Sequence, residues 1–305
     1  MNILIVGGSG FLGNALSNKL LKNPKNTLFW VSRQSFIPNK NVQVLTYDEL
    51  TPEQHFDIVI NLAGAGIADK RWSDNRKKAL LDSRLIPTQK IIDFIHQSHH
   101  KPKLLISGSA IGFYGVQKLN DDSILTENTT PICNDFASRL CQKWETLANT
   151  STIKTAIIRT GVVMDKNGGG MLKRLLPQFK LGLGGRLGNG QQIMSWISID
   201  DWVRAVLFII DKNLSDTLPH RQIYNLTAPN SVNNREFTQA LGKFLNRPTV
   251  FVAPSGVLKT LLGEMATLLL NGQRVHPKVL LDMGFEFNYP TLTSYLKPKR
   301  SINND

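Results

Sequence analysis

The densest chemical signal in the chain is Gly7-Gly8-Ser9-Gly10-Phe11-Leu12-Gly13, a GxxGxxG string that follows an apolar run, Ile3–Val6, and opens a helical pattern. Glycines permit a tight turn, let the backbone approach a pyrophosphate and allow a helix to pack closely on a strand. The free amides and dipole at the helix start then favour an anion. This context predicts a dinucleotide loop with Gly7, Gly10, Phe11, Leu12 and Gly13 as cofactor contacts.

A second strand run, Leu28–Val31, leads into Ser32 and Arg33, where an NAD-preferring fold places an acid for the ribose hydroxyls. Here the acid is missing. Arg33 can grip a 2′-phosphate through a charge-assisted fork and Ser32 can donate to it, so NADP(H) is the expected cofactor. One such hydrogen bond contributes about 1.5–3 kcal/mol, roughly tenfold or more in preference. The small residues of Leu62-Ala63-Gly64 after Ile58–Ile60 let a cofactor pass over the backbone. Ser107, and Arg159 with Thr160 at the end of Thr155–Ile158, are placed on the cofactor side as well. Lys70, Arg71 and Arg84 are cations that could hold an anionic substrate. Tyr114 and Lys118 spell YxxxK in a glycine-interrupted stretch, which is a poor helix.

These groups need a scaffold, and alternating strand and helix signals supply one. Strand runs at Ile3–Val6, Leu28–Val31, Val42–Leu45, Ile58–Leu62, Leu104–Ile106 and Thr155–Ile158, with Ile223–Leu226 as a last strand, alternate with helices near Leu12–Leu21, Arg76–Ser98 and Phe136–Asn149. The expected class is α/β, a Rossmann-type doubly wound parallel sheet with a smaller C-terminal α+β lobe. Residues 1–230 form the NADP(H)-binding part, with a glycine-rich substrate-side insertion at 166–194 and a short helix at Met171–Phe179. Residues 231–305 form the C-terminal substrate-side lobe.

At 305 residues, 41% of them hydrophobic and 19% charged, the chain reads as an ordinary globular protein. It has no apolar stretch of the roughly 20 residues that a membrane helix needs, and no secretory start. A cytoplasmic protein without a membrane partner is the expectation. Cys133 and Cys141 read as reduced thiols, the six histidines form no cluster, and no metal site is predicted. The formal net charge is +13. The basic residues are scattered, apart from groups such as Arg76–Lys78 and Lys297–Arg300, and accompany no nucleic-acid motif.

GGSGFLG, NLAG, SGSAIGFYG and RTGVV together resemble the extended short-chain dehydrogenase/reductase superfamily over residues 1 to about 230. NLAGAGIADKRW, LCQKWE, RLLPQFKLGLGGRLGNGQQIMSWISIDD and GQRVHPKVLLDMGFEF are similar to its atypical NAD-dependent epimerase/dehydratase-like branch, the "epimerase family proteins" with a C-terminal domain of unknown function. That resemblance implies a nucleotide-binding fold and lends no defined reaction. It places Ser109 at the superfamily's catalytic serine. It also implies a monomer or a homodimer paired through the helices near 76–98 and 136–149.

The superfamily's Tyr and Lys, four apart on the helix after the fifth strand, are absent. Neither Phe136 nor Ala137 can transfer a proton, and neither Leu140 nor Cys141 replaces the lysine charge. Ser109 and Tyr114 remain as catalytic candidates, while Lys143 and Glu145 read as a solvated face around Trp144, and Asp200 and Asp201 as helix-start acids. Two readings stand. One is an NADP(H)-dependent epimerase or oxidoreductase acting on an unidentified small molecule. The other is a non-catalytic dinucleotide sensor or scaffold, a reading extended to cell division by the resemblance to a plant chloroplast-division protein.

Overall fold

A computed structural model describes residues 1–33, 41–215 and 218–297; of the basic tail Lys297–Arg300, the residues after Lys297 lie outside the described residues. Six short runs rich in Val, Ile and Leu form β1 (Asn2–Val6), β2 (Thr27–Ser32), β3 (Gln43–Thr46), β4 (Ile58–Asn61), β5 (Leu104–Ala110) and β6 (Thr155–Thr160). With the strand Arg221–Leu226 they make one seven-stranded sheet, ordered from that strand through β6, β5, β4, β1 and β2 to β3. Every pairing in it is parallel. The fold is therefore the expected Rossmann-type α/β sheet.

Both faces of the sheet are covered, which is why its strands read as continuous apolar runs rather than as alternation. Ile3 and Ile5 of β1 pack with Leu16 and Leu20 of α1 (Phe11–Leu20), while Leu4 and Val6 face Ile91, Phe94 and Ile95 of α2 (Asp74–Gln97). α3 (Phe136–Ala148) shares the second face, its start capped by the Asp135 carboxylate accepting from Ser138 N. The predicted short helix is α4 (Leu172–Lys180), and α5 (Ile199–Ser215) lines the first face through Trp202, Val206 and Ile209.

The order of the sheet reverses between β1 and β4. Chain leaving β1 runs outward through β2 and β3, whereas β5 and β6 lie on the other side of β4. In an open α/β sheet the crevice at such a switch point, outside the carboxyl ends of the strands, is where ligands bind. β5 stays paired with β6 as far as Ala110, three positions past Ser107, the partner of Asn61 at the end of β4. Ser109 thus stands on a raised part of that edge.

The C-terminal chain divides between two places. Strand Phe251–Ala253 runs parallel to Gly185–Leu187, joining the insertion to the helices α6 (Asn234–Leu245) and α7 (Ser255–Leu262). Further on, Leu280 and Phe285 pack into the core of the main sheet beside Trp202, and the buried Asp201 carboxylate accepts from Asn288 N and Tyr289 N at 2.9 Å each. Asp201 therefore ties the C-terminal segment to α5 in addition to its place in the first helical turn. Among the described residues no helix is long and apolar enough to cross a membrane.

Candidate functional site

The Gly7–Gly13 turn is closed by backbone geometry. Gly10 N donates to Gly7 O at 3.0 Å and Asn14 N to Gly10 O at 2.8 Å, which starts α1. Gly7 has φ +80°, and a Cβ there would lie 2.9 Å from Leu62 C and O. At Gly13 a Cβ would lie 2.3 Å from Gly7 O, so no side chain fits between helix and turn. Gly10 caps α1 with extended backbone, no side chain caps the helix, and its first turn carries no acid. The first-turn amides of Phe11, Leu12 and Gly13 have no acceptor earlier in the helix and create positive potential beside the turn.

Leu62, Ala63 and Gly64 pass directly beneath. Leu62 N donates to Val6 O at 2.9 Å, and Ala63 N to the buried Asn61 Oδ1 at 3.1 Å. Asn61 is aimed by Thr88, whose hydroxyl accepts from Asn61 Nδ2 at 2.8 Å and from Trp144 Nε1 at 2.9 Å. Ser32 is half-buried at the end of β2, and Arg33 is exposed next to it. Arg84 packs against this loop, with Nη2 donating to Ala65 O at 3.0 Å and the guanidinium over the Trp144 ring. Lys70 and Arg71 are exposed, and Arg71 lies against Gly263 of the C-terminal segment.

Beside this edge lies a buried polar cluster. Ser109 Oγ donates to Glu145 Oε1 at 2.6 Å. The Glu145 carboxylate also takes two donors from Arg159, Nε at 2.9 Å and Nη2 at 2.8 Å, a paired geometry that suits a planar guanidinium. Arg159 Nη1 donates to Tyr114 Oη at 3.0 Å, and the guanidinium stacks 3.4 Å from the Phe113 ring centroid. Tyr114 Oη lies 2.8 Å from Asn225 Oδ1 and 3.0 Å from Thr126 O, its proton serving one of them. Asn225 N in turn donates to Glu127 Oε1 at 3.0 Å.

Three expectations change as a result. Tyr114 is fully buried with its phenol enclosed, and burial pushes its pKa up, so it has no route to a substrate as an acid. In keeping with the glycine-interrupted sequence, Tyr114 and Lys118 are not on one helix face: Ile111–Tyr114 is a single tight turn, and Gly115 at φ +77° redirects the chain. Arg159, expected beside the cofactor, is 2% exposed and committed to Glu145 underneath Ser109. Ser107 is likewise buried within β5, and Thr160 Oγ1 accepts from Trp202 Nε1 at 3.1 Å.

Glu145, read as solvent-facing, is 5% exposed and central to the cluster. A signal for it was present: Cys141, Trp144, Glu145 and Ala148 follow the i, i+3, i+4, i+7 stripe of a buried helix face. Cys141 is buried on the same stripe, and burial foremost, with the Glu145 charge second, pushes its thiol up to about 12. It stays a neutral thiol and supplies no cation. Among the described residues no group of three or more His, Cys, Asp or Glu could hold a metal ion.

A switch-point crevice, a side-chain-free turn and an uncapped helix start define a Rossmann-type nucleotide-binding fold. The chain belongs to the NAD dependent epimerase/dehydratase family, whose model matches residues 3–227, and a domain of unknown function matches residues 253–297. An epimerase family protein of Mycobacterium bovis is 38% identical over 301 residues, covering 95% of this chain and 94% of the relative. A chloroplastic epimerase family protein of Arabidopsis thaliana is 34% identical, covering 97% of this chain and 86% of that one. The crystal structure of the human epimerase family protein SDR39U1 with NADPH superimposes with a TM-score of 0.87 at 32% identity, covering 97% of this chain and 98% of that one.

Proposed function

We propose that the protein binds NADP(H) along the Gly7–Gly13 edge and acts as an epimerase- or oxidoreductase-like protein on a small molecule. The carrying observation is the turn itself, where any Cβ at Gly7 or Gly13 would strike backbone, beside an uncapped and acid-free start of α1. Those residues fit a pyrophosphate, and exposed Arg33 at the end of β2 is suited to a 2′-phosphate. NADPH in the related human structure supports the same reading. Residues 1–230, with the 166–194 insertion, would hold the cofactor. Residues 231–305 would face the substrate, a division close to the two family matches.

The cofactor supplies hydride when bound. The chain would supply Ser109, whose hydrogen is held by Glu145, leaving the oxygen's lone pairs to accept from a substrate hydroxyl. Arg159 orients the Glu145 carboxylate for that purpose through its two hydrogen bonds. Lys70 and Arg71 are the accessible cations for an anionic substrate group, and Arg84 holds the Gly64–Ala65 loop from behind.

One observation favours a second reading. Ala137 and Cys141 offer neither a phenol nor a cation, and Tyr114 is sealed, which suits a nucleotide-dependent sensor or scaffold for a partner, including one in cell division. Equilibrium titration with NADPH and NADH, followed by incubation of the NADPH-loaded protein with a panel of carbonyl compounds, separates the two. Turnover lost in Ser109→Ala supports the enzyme, and tight binding with NADPH left intact supports the sensor. No binding of either nucleotide overturns both.

A further inference from the structure

Far along the chain from the cofactor turn, the surface carries a pattern that the nucleotide edge does not use. Leu181 is 75% exposed, Leu183 57%, Val250 75%, Phe251 51% and Leu261 65%. The first four lie on two segments that the structure binds together. Arg247 Nε donates to Lys180 O at 2.8 Å, and Phe251 sits opposite Gly185 in the two-stranded pairing. α7 follows that strand after a single residue, Pro254, carries Leu261, and has no buried residue. The apolar side chains of residues 181–183 and 250–251 therefore form one rim rather than scattered singles, and α7 continues the exposed chain from it.

The charge on this rim is one-sided. Residues 166–199 and 237–263 contain eight Lys or Arg and no Asp or Glu. Lys180, Lys243, Arg247 and Lys259 among them are exposed. Exposed aliphatic side chains set among exposed cations are matched by a partner that rewards both features at once.

We propose that this rim docks on the surface of an anionic lipid bilayer, its Leu, Val and Phe side chains entering the headgroup boundary and its Lys and Arg facing lipid phosphates. Interfacial binding of this kind needs no spanning helix. It revises the sequence expectation of no membrane partner, which concerned spanning segments. A second copy is a poor occupant, since two rims that each carry exposed Lys180, Lys243, Arg247 and Lys259 repel when brought face to face. Nucleic acid matches the cations but gains nothing from exposed Leu181, Val250 or Leu261, because its specific rewards are phosphate pairing and aromatic stacking.

The test is co-sedimentation of the full chain with vesicles of phosphatidylcholine alone and of phosphatidylcholine mixed with phosphatidylglycerol. The expected result is pelleting with the anionic vesicles only, weakened by added salt. Leu181→Asp combined with Val250→Asp should lower the bound fraction about tenfold or more, and Leu181→Ser with Val250→Ser by less, with unchanged circular dichroism. Ile124→Asp, at a residue 59% exposed on a different loop, should leave it unchanged. Absence of pelleting with anionic vesicles, equal pelleting with both kinds, or equal partition of folded rim variants overturns the proposal. So does a concentration-dependent dimer that the same substitutions abolish without any vesicle binding, which would assign the rim to self-association.

Discussion

The glycine turn and the Arg159 cluster lie at the same edge of the sheet and are built in opposite ways. The turn spans seven consecutive residues and one facing loop, and its shape comes from backbone that tolerates no Cβ. The cluster draws Ser109, Tyr114, Glu127, Glu145, Arg159 and Asn225 from separate parts of the chain, and its shape comes from buried charge and hydrogen bonds. The first presents backbone amides rather than side chains to its surroundings. In the second, the polar groups largely satisfy one another, so it holds its neighbours in place and exposes little.

Substitutions can break this contrast, most forcefully at Glu145. Glu145→Ala strands the buried Arg159 guanidinium, and breaking such a pair costs about 3–5 kcal/mol of stability. Denaturant unfolding should show it, with a smaller loss for Glu145→Gln; a loss within error in both would mean the pair does not support the fold. Arg33→Ala works on the other side of the comparison. It should leave stability unchanged and remove about 1.5–3 kcal/mol of NADPH affinity, with NADH affinity unaffected, as measured by calorimetry.

Gly7→Ala forces a side chain into a positive-φ position against Leu62, a strain of about 1–3 kcal/mol. NADPH binding should weaken by about tenfold in a protein that still folds, and unaltered affinity would show that the turn has room to give. Tyr114→Phe should cost about 0.5–1.5 kcal/mol in unfolding experiments and leave any turnover untouched. A selective loss of turnover would return Tyr114 to the chemistry.

The smallest effect is a pH dependence. Burial raises the Glu127 pKa, partly opposed by the Asn225 and Val279 amides. The folded state therefore holds its proton to higher pH than the unfolded chain does. Its contribution to stability is present below the ordinary carboxylate value and is lost as pH rises through the raised one. In Glu127→Gln that downward slope in stability should disappear; a slope equal to the parent's would assign it to another group.

Much of the architecture was legible because it rests on local patterns. The apolar runs, the glycine spacing and the helical periodicities located the strands, the cofactor turn and α1 to α4 within a few residues. The proposed role of Arg33 rests on the residue type at a strand end. Glu145 was misread because a carboxylate on a helix is usually solvated, and nothing local shows that a guanidinium from β6 lies across from it. Tyr114 looked available because its burial depends on Thr126, Arg159 and Asn225, which only the sheet brings within reach.

By itself the sequence determined the parallel α/β sheet, the glycine turn and the absence of a tyrosine–lysine pair on α3, since each depends on neighbouring residues and on backbone preferences. Only the tertiary structure decided that Ser109 gives its hydrogen to Glu145, that Arg159 and Tyr114 are interior, and that an apolar rim gathers from residues 181–183 and 250–251. Those outcomes turn on which distant side chains meet and which meet water, and electrostatic and desolvation energies act through space with no regard to separation along the chain.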